Sequence, residues 1–245
     1  MQRRTFIRTT LALACAASRP VRPALAGYVQ AGASALPDVP AVKGDGGALS
    51  LTGTSLRDLQ HSLHGRMLLA ASDGYDTARH VLNPSIDRRP AVIVQPTGVE
   101  DVRRAVQFAR AHALLTAVKC GGHSFSGMST CNGGLMIDLS AMRAVRVDAR
   151  ARRAWASGGT LRGLFDHETA PYGLVTAMGT VSHTGVGGLT TGGGFGRLAR
   201  RFGLALDNVS AVRWSFRESE PETCWRFSTT TARRRQTRCR STSAW

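Results

Sequence analysis

The chain has 245 residues, 20% of them charged, and its 32 Lys and Arg against 16 Asp and Glu give a formal net charge of +16. Five of those positive charges fall before residue 27 and five from Arg213 onward, leaving six for the middle, where arginines are scattered as in "ARARR" at 149–153. Such scatter builds no basic face with interleaved aromatics, so no nucleic-acid partner is expected.

The amino terminus reads "MQRRTFIRTTLALACAASRPVRPALAG". A basic start, an apolar run from Leu11 to Ala17 and the small-residue ending Ala24-Leu25-Ala26 have the layout of an export signal cleaved before Gly27. Arg3-Arg4 followed by Phe6-Ile7 resembles signals of the twin-arginine route, which carries folded proteins across a bacterial membrane. Residues 1–26 are therefore expected to be a twin-arginine-type signal, and the mature protein to be exported to the periplasm or beyond. The apolar run falls far short of the roughly 20 residues that cross a bilayer, and no membrane span is expected.

From Gly27 to about residue 66 the chain is rich in Ala, Gly, Ser, Pro and Asp without sustained periodicity, and reads as a linker or loosely held arm. A first structured unit begins near Met67 and firms up at "AVIVQP", a buried strand ended by Pro96. "TGVEDVRRAVQFARAHA" follows as an amphipathic helix. Thr97 and Glu100 have capping-box spacing, and Val99, Val102, Ala105, Val106 and Ala109 repeat on one face. "LLTAVK" and "GLMIDLS" are strands, "AVRVD" and "RRAWAS" a hairpin, and about 160–170 a further helix. Short strands alternating with helices point to an α+β fold with two small subdomains, about 67–142 and 143–212.

From about Arg213 the pattern changes to "RWSFRESEPETCWRFSTTTARRRQTRCRSTSAW", with no apolar period of either kind. Residues 213–245 read as an aberrant or disordered basic tail. Of the five cysteines, Cys120 and Cys131 lie in the structured middle, without CxxC spacing, and are expected to be separate, partly buried thiols.

Two glycine-rich stretches carry the chemistry: "CGGHSFSG" from Cys120, and "MGTVSHTGVGGLTTGGGFG" from Met178 to Gly196. Residues without Cβ let backbone N–H groups approach an anion closely. Neither stretch is a G-x-G-x-x-G fingerprint, because Thr190 or Arg197 falls where the third glycine should be, and no P-loop lysine is present. The G-x-S-x-G elbow of serine hydrolases fails at Ser126. His123 and His183 lack the companions of a metal site, and no metal is expected. A phosphate-bearing cofactor or a structural loop remains.

Four pieces in order, "RRPAVIVQPTGVEDVRRAVQFAR", "CGGHSFSG", "GGLMIDLSAM" and "TGVGGLTTGGGFGRLARRFGLALDN", resemble the FAD-binding domain of the vanillyl-alcohol-oxidase superfamily, in its berberine-bridge-like branch. That resemblance implies an α+β fold of the PCMH type, two subdomains gripping an extended FAD. It implies that His123 bonds covalently to the flavin 8α carbon while neighbouring backbone N–H groups hold the pyrophosphate. By the same resemblance cofactor binding falls to His123, Gly121, Gly122, Ser124, Phe125, Ser126 and Gly127, and to Gly179, Thr180, Gly185, Gly187, Gly188 and Asn208. Many members carry a second attachment cysteine where this chain has Val181, so a single attachment is implied. His183 receives no role from the family.

The implied activity is that of an FAD-linked oxidase. A base takes the proton of a substrate hydroxyl, a hydride passes to the flavin, and dioxygen or another acceptor removes the electrons. The implied substrate is a small molecule, a carbohydrate or secondary metabolite. The family continues beyond Asn208 into a covering domain that supplies catalytic groups, so no catalytic base is assigned. Because the pattern breaks within the strand begun by "VSAVRW", a truncated or frameshifted gene is expected. Two other readings stand beside the oxidase: a non-catalytic remnant that at most binds FAD, and a basic surface-binding protein acting through the tail.

Overall fold

Short apolar runs separated by turn residues build three sheets. The computed structural model describes residues 36–212 and 226–228, and every element below lies in the unit that begins at Pro37. The expected signal, 1–26, lies outside the described residues.

Strands β1 (Val39–Val42) and β2 (Ala48–Leu51) pair as an antiparallel hairpin, followed by helix α1 (Gly53–Ser62). Thr52 caps that helix, its hydroxyl accepting the Ser55 N–H at 3.2 Å. The arm expected over 27–66 is thus corrected: from Val39 it is regular structure. Its strands are only four residues long and its helix buries only Gly53, Leu56 and Leu59, too short a pattern for periodicity to register.

The first large sheet has the order β3-β4-β6-β5. Its members are β3 (Arg66–Leu68), β4 (Val92–Gln95), β5 (Thr116–Lys119) and β6 (Leu135–Asp138). β4, β6 and β5 run parallel, and β3 is antiparallel at the edge. Helix α2 (Tyr75–Arg79) packs Tyr75 and Ala78 against Leu68, Ile93 and Met136. Helix α3 (Val99–Ala111) links β4 to β5, the crossover that parallel strands of one sheet require, and β6 later inserts between them.

The start of α3 differs from the capping-box expectation. Gly98 is the N-cap and makes no side-chain bond. Buried Asp101 instead accepts the N–H groups of His64 (2.9 Å), Gly65 (3.0 Å) and Thr97 (2.9 Å), together with the Thr97 hydroxyl (3.2 Å). One carboxylate satisfies donors from its own helix start and from a segment 36 residues earlier, which local spacing does not reveal.

The second large sheet is antiparallel, of order β7-β8-β10-β9. The hairpin of β7 (Val145–Asp148) and β8 (Arg153–Ala156) forms where the sequence places it. Helices α4 (Arg162–Thr169), α5 (Val186–Thr191) and α6 (Ala199–Phe202) lie between β8 and β9 (Val209–Ala211) in the chain. Phe165, Met178, Val186 and Ala205 pack with Ala154 and Ala156 as its core. Strand β10 (Arg226–Ser228), from the stretch expected to be an aberrant tail, pairs between β8 and β9. The rest of 213–245 lies outside the described residues. Two α+β halves result, and among the described residues no helix is long and apolar enough to cross a membrane.

Candidate functional site

The first glycine loop leaves the carboxyl end of β5, the end at which parallel strands gather ligand sites. It is pinned from outside. The Leu82 N–H donates to Gly122 O at 2.9 Å. Arg88 Nη1 donates to Gly127 O at 2.8 Å and Thr130 O at 3.0 Å. Asn83 Nδ2 donates to Phe125 O at 2.9 Å, and Ser124 Oγ accepts the Met128 N–H at 3.0 Å. Gly122 and Gly127 adopt φ of +67° and +76°, the left-handed region where a side chain is strained.

The second glycine stretch is held against the start of α4. Arg162 N–H donates to Thr184 O (2.9 Å), Gly163 N–H to Ser182 O (2.7 Å) and Val186 N–H to Thr160 O (2.8 Å). This docking brings Gly185 onto Gly121, so close that a Cβ on Gly121 would stand 2.4 Å from the Gly185 nitrogen. Cys120 Sγ donates to Thr160 O at 3.7 Å across the same junction. Burial raises its thiol pKa, opposed by the N–H groups of Gly187, Gly188 and Gly121, which face the sulfur. Backbone donors from both loops therefore converge on the Cys120 sulfur.

Between the two loops opens a cavity of about 730 Å³. Its polar side is Gly121, Gly122, His123 and Ser124 from one loop and Gly185, Gly187 and Gly188 from the other. Its apolar side is Val99, Val102 and Val106 of α3 with Val118, Ile137, Leu139 and Met142. An apolar cleft with a few converging polar groups is the ordinary form of a small-molecule or cofactor site. Ser129 also lines it, and its buried Oγ has no hydrogen-bond partner among the described residues. A buried unpartnered hydroxyl is costly, and a polar ligand atom would satisfy it.

His123 lines the cavity and turns its Nε2 onto His183 Nδ1, in hydrogen-bond contact. The two rings stand 4.4 Å apart at 35°. Burial, and then the neighbouring His183 charge, hold the His123 pKa below its ordinary value, so its imidazole is neutral over a wider pH range.

Seven of the expected cofactor residues thus meet at one cavity. The others do not line it. Phe125 is 86% exposed and Ser126 and Thr180 are exposed. Gly127 packs on Ile86, and Gly179 on Leu189. Asn208 Nδ2 donates to Phe202 O (2.9 Å) and Leu204 O (2.8 Å), closing the turn after α6. Sequence reasoning missed Ser129, the apolar wall of α3, and Ser157 and Gly158, which line the cavity from the other half. Only the valine spacing in α3 carried a signal, and it marked an apolar face without saying what covers it. Cys120 and Cys131 are free thiols, the latter buried with its pKa raised to about 11.

A family profile described as an FAD binding domain matches residues 90–222. The chain belongs to this family. An FAD-linked oxidoreductase of Dictyostelium discoideum is 42% identical over 127 residues, covering 52% of this chain and 28% of that protein. Berberine bridge enzyme-like proteins are among the relatives. The solved structure of 6-hydroxy-D-nicotine oxidase from Arthrobacter nicotinovorans superimposes with a TM-score of 0.61 at 30% identity, covering 62% of this chain and 34% of that one. The grass pollen allergen Phl p 4, a glucose dehydrogenase, gives 0.61 at 31%, covering 65% and 35%. The chain spans about a third of the length of these proteins. The site fits the family's cofactor: two glycine loops that meet at Gly121 and Gly185 with no room for a Cβ, an apolar wall for rings, and a buried hydroxyl that a polar atom would satisfy.

Proposed function

We propose that this chain is the FAD-holding part of an oxidoreductase that acts on CH–OH groups of a carbohydrate or secondary metabolite, with the flavin carried on His123. The observation that carries this reading is the meeting of both glycine loops and His123 at one cavity. When bound, a flavin supplies a two-electron acceptor for a substrate hydride and passes the electrons to dioxygen or another acceptor.

The chain's own residues have separable tasks. Gly121, Gly187 and Gly188 bring bare backbone to the cavity, where the pyrophosphate can approach it closely. Val99, Val102 and Val106 give ring systems an apolar wall. His123, held neutral, keeps a lone pair available as a nucleophile. Val181 stands where a second attachment cysteine would be, so the tether is single. Residues 1–26 direct export by the twin-arginine route, which suits a protein that takes up its cofactor before crossing. The sugar substrate is supported by the glucose dehydrogenase neighbour, and the secondary metabolite by the nicotine oxidase.

Acid precipitation separates tethered from bound flavin. The wild-type pellet should stay yellow, whereas His123→Ala should release all flavin to the supernatant. Flavin that stays in the His123→Ala pellet would remove His123 from the role.

A further inference from the structure

The contact between His123 and His183 belongs to no expectation drawn from the family, yet it joins the one cavity histidine to an exposed histidine of the opposite loop. Sixty residues separate them in sequence. What places His183 there is the docking of its own loop: its neighbours Ser182 and Thr184 accept N–H groups of Gly163 and Arg162. The same docking seats Gly185 on Gly121, two residues before His123. Loop contact and histidine contact are therefore one feature of the fold.

A hydrogen bond between two neutral imidazole nitrogens holds one proton, so one ring donates and the other accepts. If His183 donates, His123 carries its own proton on Nδ1 and has no lone pair free. If His123 donates from Nε2, its Nδ1 lone pair is free, and no partner for Nδ1 exists among the described residues. Only the second arrangement leaves a nucleophilic nitrogen on the ring that lines the cavity.

We propose that His183 is a positioning residue: by accepting the Nε2 proton it fixes the tautomer of His123 and makes Nδ1 the nitrogen that takes the flavin. The inference rests on the tether proposed above. Attachment exchanges a C–H bond of the flavin methyl carbon for a C–N bond to Nδ1. The methyl proton and the Nε2 proton leave, and the two electrons pass into the flavin ring and then to dioxygen. The departing Nε2 proton already lies against His183 Nδ1. Being exposed, His183 can release a proton from Nε2 to water. A partner that orients a histidine through its far nitrogen is the usual way a protein selects one tautomer.

Two variants of the full chain test this. His183→Phe keeps a planar ring but accepts no proton; His183→Asn places an amide oxygen near the position of Nδ1. FAD is added to flavin-free protein, and acid-stable flavin is followed with time beside total bound flavin. His183→Phe should bind FAD as the wild type does but attach it on the order of 100-fold more slowly, and His183→Asn should recover most of that loss. Long-range proton–nitrogen NMR of flavin-free protein should show His123 protonated on Nε2 in the wild type and mixed in His183→Phe. Attachment at the wild-type rate in His183→Phe, or a wild-type His123 protonated on Nδ1, would overturn the assignment. Wild-type protein that binds FAD and never tethers it would instead overturn the tether itself, and this inference with it.

Discussion

Gly185 lies against Gly121 with no room for a side chain on either: a Cβ on Gly185 would stand 2.3 Å from Cys120 Sγ and 2.4 Å from the Gly121 nitrogen. The two halves of the molecule thus meet backbone to backbone, at the point where their N–H groups gather. Gly121→Ala or Gly185→Ala must push the loops apart. Each should cost ~1–3 kcal/mol of stability and most of the flavin content, read from a thermal melt and the visible spectrum.

Gly188 gives the opposite outcome. It lines the cavity, lies within α5 and has open space around its Cβ position. Gly188→Ala should leave stability unchanged or raise it by up to ~1 kcal/mol, since alanine is the better helix residue. It should still weaken FAD binding by taking cavity space. Melting and FAD titration together separate the two effects.

Ser129 provides a polar counterpart. Its buried hydroxyl has no partner among the described residues, so Ser129→Ala should not destabilise flavin-free protein. FAD affinity should fall by about tenfold, the worth of one hydrogen bond. Equal affinity in Ser129→Ala would show that the cofactor leaves this hydroxyl alone.

Asp101 ties the start of α3 to His64 and Gly65. Asp101→Asn places donors against donors and should cost roughly 2–4 kcal/mol in chemical denaturation. Burial, the largest single influence, raises its pKa, but the hydrogen bonds from Thr97, His64 and Gly65 together outweigh it and the net direction is down. A carboxylate with a lowered folded pKa contributes its full stability above the unfolded value. That contribution should therefore be lost only as pH falls below about 4, and Asp101→Asn should flatten that acid limb.

Lys119 and Asp138 end neighbouring parallel strands, both buried, with 3.6 Å between Nζ and Oδ2. Lys119 also donates to Ala78 O, and Asp138 accepts from Gln95 Nε2 at 3.0 Å. Lys119→Met should cost ~3–5 kcal/mol by leaving a buried carboxylate without its cation. Adding Asp138→Asn should recover part of the loss in a double-mutant cycle; strict additivity would mean that the pair does not interact.

How much of this was legible depended on range. The buried runs "VIV" and "LMI" and the hairpin around Asp148 were readable because each is a local pattern that tertiary structure did not override. The glycine loops were readable because absent side chains mark close approach, and the structure supplies the approach between Gly121 and Gly185. The helix start was misread as a Thr97–Glu100 capping box because the acceptor there is Asp101, two of whose donors, His64 and Gly65, lie far back in the chain. The valines of α3 were legible only as one apolar face, since periodicity reports such a face and not what covers it. Phe125 and Asn208 sat in motifs that have some members at the cavity, but their own surroundings are solvent and the turn after α6. His183 carried no signal, because its partner is fixed by the docking of two loops.

The central claim is that this chain holds FAD on His123. Its most direct test is a peptide map of the purified full chain after acid denaturation, read by mass and by visible absorption. The account predicts that the peptide containing His123, and no other, is yellow and heavier by one FAD. A yellow protein whose flavin washes away in acid, or a colourless chain at its bare mass, would contradict it.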